Sequence, residues 1–343
     1  MIKKMFPGFL PLLAGFLLVP LSISALELSQ GNLILQVHEN TGRFSLYQGS
    51  RESRVRPQAL FVDQDPRTSF SSVLINNRTY RLGETSVFTL NTETNDSSII
   101  LRWESDVAQV TQTFSLSSDP KDPSFVFLRM DISLYNISMG DIDIGYRFCL
   151  DTNLGERAEH HFTSDTGRVI TGESMLFPAR DSDTNLISAN ERAAFMLSIN
   201  HSKLIAPDSV HIANWKRLSD APWKAPHLPG RNFNNLPYSV NDSAVSLYYN
   251  HRRLARGEKS EYSVLMAPAR IGGFPSLSTQ STSIKPVPSS PSAEDLSLMK
   301  DLQELQTLID RLEQAKFDGI MPDEAELTRM EELLSRLSGY VDE

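Results

Sequence analysis

The chain has 343 residues, 40% of them hydrophobic and 22% charged, with a formal net charge of −9 and a single cysteine. That length is enough to build a core, and one thiol rules out a disulfide framework within the chain. The whole negative excess falls at residues 293–343, with fourteen acids against five bases, and the neutral remainder has no basic stripe, which argues against nucleic-acid binding.

The N-terminal stretch "MIKKMFPGFLPLLAGFLLVPLSISALELSQ" combines Lys3 and Lys4, an apolar run from Phe9 to Leu21, and the small residues Ser22, Ser24 and Ala25. This is the layout of a signal peptide over residues 1–25, with the mature chain starting near Leu26, exported to the periplasm or secreted. Pro7, Pro11 and Pro20 interrupt the run, which is short for a span of about 20 residues. No later segment is apolar enough to cross a membrane. Cys149 reads as a buried thiol on a strand.

Residues 26–270 carry the period-two pattern of short strands. "NLILQVHEN" and "RFSLYQG" meet at Asn40-Thr41-Gly42, and "SSVLINNRTYRLG" turns at Asn76-Asn77. "SVFTLNTE" follows, and then "IILRWESDVAQVTQTFSL" alternates, with Ile99, Leu101 and Trp103 on one face and Ile100, Arg102 and Glu104 on the other. "SFVFLRMDISLYN", "AAFMLSIN", "SVHIANWKR", "AVSLYYNH" and "EYSVLMAP" continue the pattern, with Gly257 at a turn before the last, and no long helical segment interrupts it. The expected fold is mainly β, a large antiparallel β-sandwich of roughly a dozen or more strands.

Residues 271–291 are rich in Ser, Thr and Pro and read as a flexible linker. Beyond them the period lengthens. Leu298, Leu302, Leu305, Ile309 and Leu312, then Leu327, Met330, Leu334 and Leu337, step by three and four, which is seam spacing. Ser292 with Asp295 and Asp323 with Glu326 resemble capping boxes, and Gly319 and Pro322 separate two helices. Residues 292–340 are therefore expected as an acidic, coiled-coil-like helical hairpin. With so little core of its own it needs a surface to pack on, and the long linker favours a second copy or another protein over the sandwich. The nine seam residues are the expected partner-binding set.

The densest chemistry lies in "DIDIGYRFCLDTNLGERAEHH", residues 141–161. Its first half alternates as a strand and ends at a polar corner where Gly155 is expected to take the turn conformation. "GYRFCLDTNLGE" resembles a segment of exported bacterial β-sandwich proteins in which a strand of the form "VGLRFLLDTMLG" runs into a polar loop. "GNLILQVHENTGRFSLY", "TSFSSVLINNRTYRLG" and "DSAVSLYYNHRRLARGEKSEY" fit the same group, so the resemblance spans most of residues 30–267. It implies a sandwich loosely like the galactose mutarotases and no particular activity. The Asn-Asp-Gly run usual in that loop is replaced here by "GERAEHH".

A zinc or copper site built from Asp151, Glu159, His160, His161 and Asp165 is disfavoured, because adjacent residues of an extended chain point to opposite sides. Calcium is the better cation, with Asp141, Asp143 and Asp151 as weak candidates; otherwise no cofactor is expected. Asp181 and Asp183 read as a polar turn. Trp215, Trp223, His227, Phe233 and Tyr238 cluster in a Pro-rich stretch and could stack on a glycan, although a loop packing its own aromatics over a sheet edge explains them as well. No carboxylate pair at a telling spacing accompanies them, and no Gly-x-Ser-x-Gly occurs. The expected function is non-enzymatic, in cell-envelope assembly, scaffolding or regulation through protein contacts of the hairpin. The alternative is a carbohydrate-binding or carbohydrate-active sandwich.

Overall fold

The computed structural model describes residues 25–50, 53–64, 67–158, 160–277, 304, 308 and 324–339. The expected signal peptide up to Ser24, most of the linker and most of the first hairpin helix lie outside them. The chain divides into two compact units, at 1–278 and 279–343.

The first unit is built from antiparallel strands. In chain order they are β1 (Ala25–Gln30), β2 (Leu33–His38), β3 (Phe44–Gln48), β4 (Gln58–Ala59), β5 (Phe70–Ile75), β6 (Arg78–Arg81), β7 (Thr89–Asn95), β8 (Ser98–Glu104), β9 (Ala108–Asp119), β10 (Asp122–Asn136) and β11 (Ile142–Thr152). Then come β12 (Phe162–Ser164), β13 (Val169–Ile170), β14 (Ser174–Leu176), β15 (Asn185–Ala189), β16 (Ala194–Ser198), β17 (Ser209–Asn214), helix α1 (Trp215–Asp220), β18 (Ser243–Leu254) and β19 (Lys259–Pro268). They form a four-stranded sheet β1-β2-β3-β4, a nine-stranded sheet β13-β12-β15-β16-β19-β10-β9-β8-β7 and a six-stranded sheet β14-β17-β18-β11-β5-β6.

All three sheets contribute to one core. Leu35 and Leu46 come from the first sheet, Leu101, Phe114 and Leu128 from the second, and Phe148 and Leu247 from the third. The alternation expected on β8 is observed, with Ile99, Leu101 and Trp103 buried and Glu104 exposed. Asn76 and Asn77 have positive φ, 46° and 64°, as a tight hairpin turn requires. One polar network crosses this core: the Trp103 indole donates to Gln112 (2.8 Å), whose amide donates to the hydroxyls of Ser71 (3.0 Å) and Tyr146 (3.1 Å). Its members satisfy one another, so it pins the facing sheets without leaving those groups unpaired.

Two features depart from expectation. The "SVHIANWKR" strand stops at Asn214, because the Asn214 side chain accepts from Arg217 N (3.2 Å) and caps α1. Residues 271–277, expected within the linker, pack on the sandwich: Phe274 meets Phe125 and Phe127 edge-on, and His201 Nε2 lies 3.1 Å from the Pro275 carbonyl.

In the second unit the described helix is α2 (Glu324–Gly339). Arg329 pairs with Glu304 (2.7 Å), itself helical, and with Glu332 (3.0 Å). Leu333 is fully buried, whereas Leu327 and Leu334 are 39% and 49% exposed. No helix among the described residues is long and apolar enough to cross a membrane.

Candidate functional site

β11 organises the candidate site. Ile142, Ile144, Tyr146, Phe148 and Leu150 enter the main core, and burying Phe148 alone contributes about 2–3 kcal/mol. Gly145 sits at a register shift against β18, where a Cβ would come within 2.8 Å of His251 N. The opposite face carries Arg147 and Cys149, covered by α1 and the stretch that follows it.

Arg147 is 1% exposed and donates to the carbonyls of Leu218 and Ala221 (3.2 Å) at the C-terminal end of α1. Its guanidinium also lies 5.3 Å from the Phe70 ring centre and 5.4 Å from that of Tyr248. Arg81 lies 3.9 Å from the Phe70 ring centre and donates to the Ser219 carbonyl. Two cations thus hold the carbonyl end of α1, where the partial charge is negative. Burial raises the Cys149 thiol pKa, so Cys149 is a buried, inert thiol, as expected.

Where β11 ends, Asp151, Glu156 and Asp242 converge, with ligand oxygens all within 4.8 Å of one another. Asp151 ends the strand, Glu156 sits in a single 3₁₀ turn (Leu154–Arg157), and Asp242 immediately precedes β18. The antiparallel pairing Thr152↔Ser243 forces this meeting. Gly155 permits it through close approach rather than a left-handed backbone, since a Cβ there would lie 2.1 Å from His161 O.

Asp151 is 4% exposed, and its Oδ1 makes no hydrogen bond. Burial, with Asp242 and Glu156 adding repulsion, pushes its carboxyl up to about 8; the nearby Thr68 hydroxyl, itself without a well-formed hydrogen bond, offsets part of this. Burial pushes Glu156 up to about 7 although it accepts from Ser243 N (3.0 Å), and burial also raises Asp242. Among the described residues none of the three has an ion-pair partner.

In a second constellation the carboxylate is paired on both oxygens, while His211 Nδ1 has no hydrogen-bond partner. Glu173 accepts from His211 Nε2 (3.0 Å), Leu228 N (2.8 Å) and the Arg217 guanidinium. Burial acts to raise its pKa, but these donors outweigh it and the net shift is downward. Glu173 is 2% and His211 0% exposed, so the group ties the start of β14 to β17, α1 and the Pro-rich loop without presenting a face to substrate.

The sequence-predicted residues separate. Asp141 is exposed and pairs with Arg253 (3.1 Å), and Asp143 borders an open hollow of about 350 Å³ with Leu74, Asn76, Asn77 and His251. Both lie at the far end of β11 from Asp151, about 26 Å from Asp143 along the strand. Asp165 accepts from Thr184 N and Asn185 N, both 2.9 Å, and His161 packs 4.3 Å from the Phe233 ring. They therefore do not join Asp151, and Glu159 lies outside the described residues. Asp181 caps the Phe177 amide (2.6 Å), and Arg168 reaches both Asp181 and Asp183.

Nor do the five aromatic-loop residues form one platform. Phe233 is 1% exposed. Trp215, the first residue of α1, packs on the Phe70–Cys149 cluster with its indole 3.4 Å from Thr68 O, and Trp223 stands edge-on to Tyr248. His227 is exposed on one side and lies 5.7 Å from the His211 ring on the other, and its pKa is lowered by the desolvation of that covered side and then by His211. Only Tyr238, 71% exposed between exposed Leu236 and Val240, offers an open ring, with Lys216 Nζ 5.3 Å from its centre. Sequence reasoning had placed Glu156 in the polar corner but missed Asp242, which joins the cluster only once β11 and β18 are paired.

No protein-family model matches the chain, and no curated protein matches it. Solved structures similar to it include galactose mutarotase-like and aldose epimerase proteins. A galactose mutarotase-like protein from Lactobacillus casei aligns over 72% of this chain and 100% of its own at 10% identity and a TM-score of 0.43. A putative aldose 1-epimerase from Escherichia coli K12 aligns over 72% and 99% at 11% identity and 0.45. An aldose epimerase homologue from C. elegans aligns over 72% and 99% at 10% and 0.44. Likeness at this level carries no argument about activity.

Proposed function

We propose that this is an exported, non-enzymatic protein that acts in cell-envelope assembly through protein contacts of its C-terminal unit. The observation that carries the reading is the uncovered stripe on α2. Leu327 and Leu334 stay exposed and Met330 half-buried, while the neighbouring Leu333 takes the burial. An amphipathic helix that leaves Leu327, Leu334 and part of Met330 in water has a face for another helix to cover. The surrounding charge selects the partner. Fourteen acids against five bases over residues 293–343 make a second copy repulsive and a basic helix attractive.

On the sandwich, the sealed outer face of β11 and the buried Glu173, already ion-paired with Arg217, support a binding role over a catalytic one. The test is the pair of variants Leu327→Glu and Leu334→Glu. Co-purification of the partner from cells is expected to fall at least tenfold in each while the near-UV spectrum of the sandwich is unchanged. Retention at wild-type levels by both would refute the reading.

A glycan-binding reading rests on Tyr238, whose open ring could stack on a sugar. Tyr238→Ala abolishing retention on a glycan array without unfolding would support it, and unchanged retention would remove it.

A further inference from the structure

We propose that Asp151, Glu156 and Asp242 form a binding site for a calcium ion. The site lies wholly on the sandwich and is independent of the contact stripe on α2, so either can fail without the other.

Three carboxylates within 4.8 Å of one another repel strongly when ionised, and are relieved either by taking up protons or by a cation between them. Among the described residues Arg157 offsets part of that charge at Glu156, but no Lys, Arg or His forms an ion pair with any of the three. Asp151 is the clearest sign of a missing partner. It is 96% buried, given its 4% exposure, and its Oδ1 has no hydrogen-bond partner, a costly state for a buried acceptor. Its carboxylate offers one oxygen to the space shared with Glu156 and Asp242, and the Thr68 hydroxyl beside it makes no well-formed hydrogen bond either, so this corner has room in its hydrogen bonding for a cation.

The donors identify the ion. All are oxygens, with the Thr68 hydroxyl beside Asp151 also unsatisfied, and neither imidazole nor thiolate belongs to the cluster. This favours a hard cation over zinc or copper. An oxygen shell of about 2.3–2.6 Å radius spans up to about 5 Å across, which accommodates the observed spread, whereas magnesium demands a tighter octahedron of about 2.1 Å radius. The supports also suit calcium, which tolerates irregular geometry: a strand end, a 3₁₀ turn and the return of a long loop. A bound ion would fasten the 221–242 loop to the end of β11, because Asp242 lies 86 positions beyond Glu156.

The experiment uses the full-length protein, treated with EDTA and then titrated with terbium, calcium or magnesium. Trp215, whose indole faces the Thr68 carbonyl, can sensitise terbium luminescence from this corner. The expected result is a terbium signal displaced by calcium, and a rise in melting temperature with calcium that exceeds the rise with equal magnesium. Asp242→Asn and Glu156→Gln, which keep the side-chain shapes, should each weaken calcium binding about tenfold or more. Near-UV spectra check that each variant is folded, and if one is not, the other decides. Absence of a calcium-displaceable signal from the wild-type protein at millimolar calcium would overturn the proposal. So would wild-type affinity in a folded variant.

Discussion

Arg147 is a buried cation whose charge is met by the carbonyl end of α1 and two aromatic faces, with no carboxylate bonded to it among the described residues. Arg147→Met keeps the apolar stem but orphans the carbonyls of Leu218 and Ala221. It should destabilise the sandwich by about 3 kcal/mol, read as a lower urea midpoint at unchanged slope; a midpoint equal to wild type would show that the guanidinium is dispensable. Glu173 makes a pH prediction. Its folded pKa is depressed, so its contribution is complete above the ordinary glutamate value of about 4.3 and is lost as pH falls through the lower folded value. Unfolding free energy measured from pH 6 to pH 3 should therefore drop less steeply in Glu173→Gln than in wild type, and parallel curves would contradict the assignment.

Asn214 shows how one residue at the end of an element governs the loop beyond it. Its oxygen caps α1, and its amide donates to Phe233 O (2.9 Å), Ser239 Oγ (2.9 Å) and Asp242 O (3.0 Å). Asn214→Asp keeps the cap but loses the donors, so it should loosen the 231–242 segment and speed limited proteolysis there, while Asn214→Ala also costs the cap, about 1 kcal/mol. Equal cleavage rates in wild type and Asn214→Asp would refute this. The same residue marks the limit of the sequence reading. The strands were legible because half-buried sheets impose period two over many residues, as at Ile99, Leu101 and Trp103. α1 was hidden because "SVHIAN" carries that period up to the cap, and six residues are too few to show a helical one. In the carboxylate cluster, Asp151 and its corner were visible, but Asp242 becomes a neighbour through non-local strand pairing that no local pattern encodes. Asp141 and Asp143, grouped with Asp151 by proximity in the chain, are separated by the length of β11.

At the scale of the molecule, the chain divides into two compact units, and the core of the first draws on its own three sheets. A chain ending at Ser283 should thus retain the sandwich's cooperative thermal transition to within about 3 °C; a larger loss would mean that the C-terminal unit is part of its fold. Partner capture by an acidic unit should also weaken as salt rises from 0.05 to 0.5 M, because surface attraction is screened beyond about 10 Å at 0.1 M. The central claim is that the stripe of Leu327, Met330 and Leu334 faces a partner in the cell. The most direct measurement places a photoactivatable side chain at position 334 of the full-length protein, crosslinks in living cells and maps the joined peptides. The account predicts one recurrent partner, joined through a basic helical segment and lost when Leu327 is changed to Glu. Crosslinks confined to the protein's own sandwich would contradict it.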